Sequence, residues 1–387
     1  MSKVVDQWVE RLKGKIKPVG EMTHWERMAA AFDLKETDMV PVAPELDYWQ
    51  ITYAGYSHKA IYNDVDKTTD ACIKTWADLR CDAIWMYVDI SHQIENFIPP
   101  EKRPEHFIHR GKDDYLLFKP IAQTLDEAIA MYEQRTWEKY TAGSRPATHY
   151  TPHMLQLLEF QEKMGRQVPV IVGIATPTNY AETVVEVQNF LKWMVTEPED
   201  KIRYYLDLCL KERLEALDFY AEFAAKNGAQ FCCGFGGART WGPRHLDKFG
   251  DVDRIWLDKA KKIFPYVFWH ICGHNLPKAL ELLAAWDGIK AVQYDMPYYG
   301  QDISWPQWCE QVARLFHGKR CAMNAPTTQM ACHGTADQVS RMVAEFIDAT
   351  LPHTTACVMP GCEIDSFSPV ANVRAMIDTA RSRRGSA

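Results

Sequence analysis

The chain has 387 residues, 47% hydrophobic and 25% charged, a globular composition that excludes a disordered or fibrous protein. Lys and Arg number 44 against 51 Asp and Glu, a net charge of −7, whereas nucleic-acid binders usually carry a basic excess. No apolar run approaches the roughly 18 residues of a membrane span.

The N-terminal MSKVVDQWVERLKGKIK mixes charged and apolar residues and does not read as a signal peptide. The eleven cysteines are odd in number, so they cannot all pair internally. A cytoplasmic location with free thiols is therefore expected. There, a Cys near a His points to a metal or to catalysis more than to a disulfide.

Eight short apolar runs read as strands in chain order: MVPVAPELD (39–47), CDAIWMYVD (81–89), VPVIVGIATP (168–177), GAQFCCGFGG (228–237), YVFWHICG (266–273), IKAVQYDMP (289–297), RCAMNAP (320–326) and ACVMPGCEID (356–365). Continuous apolar strands imply burial on both faces, as in a parallel sheet covered by helices. Helical patterns lie between the runs. One extends over 196–226, with Thr196 as cap and Glu199 three residues on. A second covers 275–285, with Asn275 as N-cap and Pro277 in the first turn. Thr335 and Gln338 form a capping-box pattern. Ser368-Pro369 reads as a Ser cap followed by Pro at the first helical position.

This alternation predicts an α/β fold, a (β/α)8 TIM barrel spanning 1–387 as a single domain. A doubly wound open sheet is the alternative. Residues 92–165 show no strand pattern and carry Trp137, Tyr140, His149, Tyr150 and His153. They read as a helical and loop insertion after the second strand that caps the barrel mouth.

In such a barrel the active site sits at the C-terminal strand ends. His270-Ile271-Cys272 is the sharpest feature there. Residues i and i+2 of a strand share a face, so the imidazole and the thiol can address one ion. Cys362, at the end of the last run, supplies a third soft ligand. A His, Cys, Cys set suits zinc and leaves a position open for catalysis. Cys232-Cys233, His274 and Cys332-His333 are competing ligands of lower rank.

Tyr48, Trp49, Trp85, Trp241 and Tyr294 stand near strand ends, with Tyr87 among them. They are candidates for an aromatic pocket that takes a ring or a methylated cation; core packing is the competing reading. Asp89 and Glu45 are candidates for orienting substrate or for acid–base work. Arg239, beside Gly236-Gly237, is a candidate anion clamp, and Asn324 closes the seventh run as a substrate-contact candidate.

The C-terminal half resembles the uroporphyrinogen decarboxylase superfamily. The resemblance is carried by HICGHNLPKALELLAAWDGIKAVQYD, MNAPTTQMACHGTADQVSRMVAEFID and GCEIDSFSPVANVRAMIDTAR, over about 220–383, and it implies a (β/α)8 barrel. The decarboxylases of that superfamily bind a tetrapyrrole through an arginine-rich R-Q-A-G-R-Y motif. Here the first strand is followed by YWQITYAGY, without those arginines. The other branch comprises zinc methyltransferases that work with corrinoid proteins and thiols such as coenzyme M, and His270, Cys272 and Cys362 match its pattern. A similar His, Cys, Cys set with a carboxylate ligand occurs in cobalamin-independent methionine synthase. By that likeness Asp295 is a fourth-ligand candidate. The chain has no D-x-H-x-x-G corrinoid motif, so a corrinoid (cobalamin) would arrive on a separate protein. The resemblance implies methyl transfer involving a small methyl donor or acceptor. A decarboxylase, another thiol alkyltransferase, or a scaffold with structural zinc are the rival readings.

Overall fold

The computed structural model describes residues 2–61, 64–87, 97–102, 107–109, 116–118, 121–135, 150–220, 224–237, 241–273, 275, 277–297 and 301–385. Its strands are β1 (Ile84–Trp85), β2 (Phe107–His109), β3 (Leu116–Phe118), β4 (Val170–Ala175), β5 (Phe231–Gly236), β6 (Tyr266–Ile271), β7 (Ile289–Gln293), β8 (Cys321–Asn324) and β9 (Ala356–Val358). Seven of them form one parallel sheet in the order β1-β4-β5-β6-β7-β8-β9. Each lies inside a run expected to be a strand.

The first expected run pairs at a single bridge, where Val42 lies parallel to Val358 of β9. The Val358 N–H donates to Pro41 O at 2.8 Å, and the Ala43 N–H to Val358 O at 3.0 Å. On its other side, the Asp82 N–H donates to Val42 O at 2.7 Å. Residues 41–43 therefore join β9 to the approach of β1 and close the ring. Pro41 and Pro44 flank this stretch, and proline has no N–H to extend a ladder.

Side chains alternate between two cores, as the pleat requires. Ile171, Phe231, Cys233, Phe268, Ala291, Cys321, Met323 and Cys357 point inward and pack together. Val170, Val172, Cys232, Val267, Trp269 and Val292 face the helical layer. The helix His24–Phe32 plugs the N-terminal end, burying Met28, Ala31 and Phe32 against the inner core. Its Thr23/Glu26 capping box satisfies the first-turn donors.

Several expected boundaries move. Thr196 ends the helix Val187–Thr196 and does not cap the next one, because Pro198 precedes Glu199–Tyr220 and begins the new turn. The helix Pro277–Ala285 forms as expected, but Asn275 is not its cap, since its side chain is used by loop carbonyls. The Thr335/Gln338 capping box is present. The last helix starts at Val370 with Pro369 as its cap residue, one position later than expected. Cys332 and His333 lie on a short helix, Thr328–His333.

The 92–165 stretch shows no strand pattern in sequence, yet β2 and β3 pair there as an antiparallel ladder. Three-residue strands are too short to leave a periodic pattern. At its end, the helix Tyr150–Lys163 packs on the helices Lys3–Leu12 and Val65–Leu79 and on β4. His153 is fully buried there; its Nδ1 meets Thr69 Oγ1 at 2.9 Å, and its Nε2 accepts the Tyr87 N–H at 3.2 Å. Trp137, Tyr140 and His149 lie outside the described residues.

Candidate metal centre and substrate cavity

Phe235, His270 and Gln293 are paired directly across β5, β6 and β7. They form one inward-facing row at the C-terminal rim. Cys272 follows one residue beyond β6, on the His270 side of the strand. Past β9, the chain turns through Pro360 and Gly361 and brings back Cys362. The ligand atoms of His270, Cys272 and Cys362 all lie within 4.8 Å of one another. Neither cysteine is in a disulfide, and their Sγ atoms lie 3.1 Å apart. One ion with bonds of about 2.0–2.3 Å spans such a spacing, and the donor set is the one zinc takes. Among the described residues this is the sole group of three or more His, Cys, Asp or Glu so gathered.

The loops are held by neighbouring backbone. Asn275 Nδ2 donates to the carbonyls of Ile271 and Gly273, and its Oδ1 accepts the Asp295 N–H at 2.6 Å. Gly273 has φ +70°, a left-handed turn that glycine enters without strain. The Ile364 N–H donates to Glu45 O at 2.9 Å and ties the loop after Cys362 to the first strand segment. Gly361 lies against the Asp295 side chain, where a Cβ would come within 2.5 Å of the carboxyl carbon.

Glu45 Oε2 stands 3.8 Å from His270 Nδ1 and accepts from Gln293 Nε2 at 3.0 Å. Burial opposes a charged imidazole at His270, but negative Cys272 and Glu45 overcome it and raise its pKa to about 9. Burial raises the Glu45 pKa against the pull of His270. The Cys362 thiol is pushed up, first by its contact with Cys272 and then by burial. A bound cation favours the thiolate forms of the two cysteines.

A cavity of about 230 Å³ opens beside the donors. Glu45, Tyr48, His270, Cys272 and Cys362 line it, so five of the sequence candidates converge there. Asp47, Asn179, Glu182, Thr183, Phe235 and Glu363 also line it and had no role assigned from the sequence. A signal for three of them existed. Asn179, Glu182 and Thr183 have i, i+3, i+4 spacing on the helix Pro177–Val185, which starts at the C-terminal end of β4. Gly237 makes room for that helix, since a Cβ there would come within 2.4 Å of the Asn179 nitrogen.

The other candidates sit elsewhere. Trp49 is buried, donates Nε1–H to Ser368 O at 2.8 Å and stacks on Tyr53. Trp85 points into the inner core and donates to Ala43 O at 3.0 Å. Tyr294 packs edge-on to Trp308 and Phe316 in the outer core. Asn324 is fully buried and accepts the Ala325 N–H. Trp241 does not line the cavity but donates to Glu182 Oε1 at 2.6 Å, so it supports a lining residue from behind. Large aromatic side chains at strand ends bury more apolar surface in the packed layer than at an open rim. Asp295 is not part of the converging group; its backbone is fixed by Asn275 and by Trp308, which donates to Asp295 O at 2.8 Å. Asp89 and Arg239 lie outside the described residues, as does His274. Cys232 and Cys233 face opposite sides of β5 and are both buried.

A closed parallel barrel with a His, Cys, Cys group at its C-terminal mouth defines the class. Residues 130–383 match the family model for uroporphyrinogen decarboxylase (URO-D), and the chain belongs to that family. Among solved structures it is similar to a methyltransferase from Methanosarcina mazei, with a TM-score of 0.69 at 18% identity over 94% of this chain and 99% of that one. A B12-independent methionine synthase from Shewanella sp. W3-18-1 aligns at a TM-score of 0.45 and 10% identity, over 95% of each chain. No curated protein matches by sequence. Among the described residues no helix is long and apolar enough to cross a membrane.

Proposed function

We propose that the chain is a zinc methyltransferase of a corrinoid system, located in the cytoplasm. It moves a methyl group between a small methylated compound or thiol and a corrinoid on a separate protein. The observation that carries this reading is the convergence of His270, Cys272 and Cys362 beside a ligand-sized cavity. The M. mazei structure of the same fold is itself described as a methyltransferase.

Zinc held by these residues supplies Lewis acidity that keeps a bound thiol ionised at neutral pH or polarises a methyl donor. The chain's own residues do the rest. Cys272 and Cys362 give up their protons on loading. Tyr48 and Phe235 offer aromatic faces to the methyl-bearing ligand, and Asp47, Glu182 and Glu363 offer it hydrogen-bond acceptors. A decarboxylase is less well supported: no Lys or Arg lines the cavity among the described residues, and a tetrapyrrole carboxylate needs such partners.

The experiment is a metal assay followed by a donor screen. The purified chain is expected to hold one zinc per molecule. With one of a panel of methoxy, methylamino and methylthio donors, the spectrum of cob(I)alamin should convert to that of methylcobalamin. A fully folded chain that takes up no zinc would overturn the reading.

A further inference from the structure

Gln293 is fully buried at the centre of the rim, paired in the β6–β7 ladder with the metal-site histidine. Its amide nitrogen donates twice. One bond goes to Glu45 Oε2 at 3.0 Å, and the other to Pro360 O at 2.7 Å. These acceptors come from opposite sides of the group. Glu45 is the carboxylate 3.8 Å from His270 Nδ1. Pro360 is two residues before Cys362. Gln293 Oε1 and His270 Nδ1 are themselves buried atoms with no hydrogen-bond partner, on residues that face each other across two strands. A buried donor or acceptor is rarely left so without a functional reason.

We propose that Gln293 is a positioning residue for the metal centre: its amide ties Glu45 to the Pro360 carbonyl and so sets His270 and Cys362 at the spacing that one ion takes. The inference rests on the reading that this group holds zinc. Glu45 then acts on His270 and not on the substrate. It places a negative charge 3.8 Å from Nδ1, which favours the tautomer that carries its proton there and leaves Nε2 for the metal. Metal-ligating histidines generally need such an outer partner to fix ring and tautomer. In this chain one amide serves a ligand on β6 and, through the turn after β9, a ligand far along the sequence. Gln suits this work better than a carboxylate, because a fourth negative group beside Glu45 and two thiolates would repel them.

The test uses the whole chain. Gln293→Met keeps length and apolar volume and removes both bonds; Glu45→Gln keeps shape and removes the charge. Zinc affinity is measured by chelator competition. The ligand field is read from the visible spectrum of the cobalt(II)-substituted protein. Each variant is expected to bind zinc about 10- to 100-fold more weakly, the range found for outer partners of metal ligands, with a shifted cobalt spectrum. The double variant should be no weaker than the weaker single one, because both changes break one chain of contacts. Parent-like zinc affinity and an unchanged cobalt spectrum in Gln293→Met would overturn the proposal while the zinc reading stands. Fully additive losses would equally overturn it, by showing that Gln293 does not act through Glu45. A folded parent chain that binds no zinc would overturn both.

Discussion

At the N-terminal end of the barrel, Arg27 is fully buried, and its surroundings are matched to it. Its Nε donates to Asp38 Oδ1 at 2.7 Å, its Nη1 to Asp82, and its Nη2 to the carbonyls of Val19 and Met22. Asp82 also accepts from His24 Nδ1 at 2.8 Å and from the Val42 N–H at 2.8 Å. At the C-terminal end, two thiols, an imidazole and Glu45 crowd together, with acceptors and thiols in excess. The first cluster is complete as it stands and locks the helix His24–Phe32 onto the barrel floor. On the proposed reading, the second is completed by a cation that the chain does not supply. In a barrel, the floor is where stability is held and the mouth is where chemistry is left open.

This contrast can be broken from either end. The largest effect is expected at the mouth. Cys272→Ala or Cys362→Ala should abolish zinc retention and methyl transfer, yet leave the melting temperature of the metal-free chain within a few degrees of the parent, as seen by elemental analysis and calorimetry. At the floor, Arg27→Ala should cost about 3–5 kcal/mol of stability in urea titrations, because it strands the buried Asp82 carboxylate and the half-buried Asp38 beside it. The folded fraction should keep its zinc stoichiometry.

Acid sharpens the floor further. Burial alone would raise the Asp38 pKa, but its bonds to Arg27 and to the Met22 and Glu21 N–H groups hold it at about 2. A folded pKa below the unfolded one means stability that is present above about pH 4 and is lost as pH falls toward 2, here about 2 kcal/mol. Asp38→Asn should flatten that limb of a urea-midpoint profile. Asp253 behaves with the opposite sign. Burial raises its pKa to about 6 despite bonds from Thr178, so its charge costs stability as pH rises from about 4 to 6. Asp253→Asn should remove that slope. The smallest effect is expected from Trp241→Phe, which takes one hydrogen bond from Glu182 and should lower stability by about 1 kcal/mol. It should also raise KM for the cavity ligand with kcat little changed.

Much of this protein could be read from short patterns. Eight apolar runs with helices between them gave the barrel, because a strand buried on both faces leaves a continuous apolar signature. His270 and Cys272 were legible as a pair because a strand's period of two puts them on one side. Whether the tryptophans line a pocket or pack in the core could not be read from the sequence, because an aromatic near a strand end looks the same whether it faces a cavity or the helical layer. Asn275 looked like a cap because Asn before Pro at short range fits that pattern; only the folded loop shows its amide tied to Ile271, Gly273 and Asp295.

The sequence by itself determined the strand–helix order and the three candidate metal donors, since each depends on local period or residue chemistry. Only the tertiary structure decided that Glu45, Gln293 and Pro360 meet around those donors and that Asn179 and Glu182 face the cavity. Closing the ring through Val42 and Val358 brings the first segment beside the last strand. Contacts made by closure join residues far apart in the chain, and no local pattern encodes them.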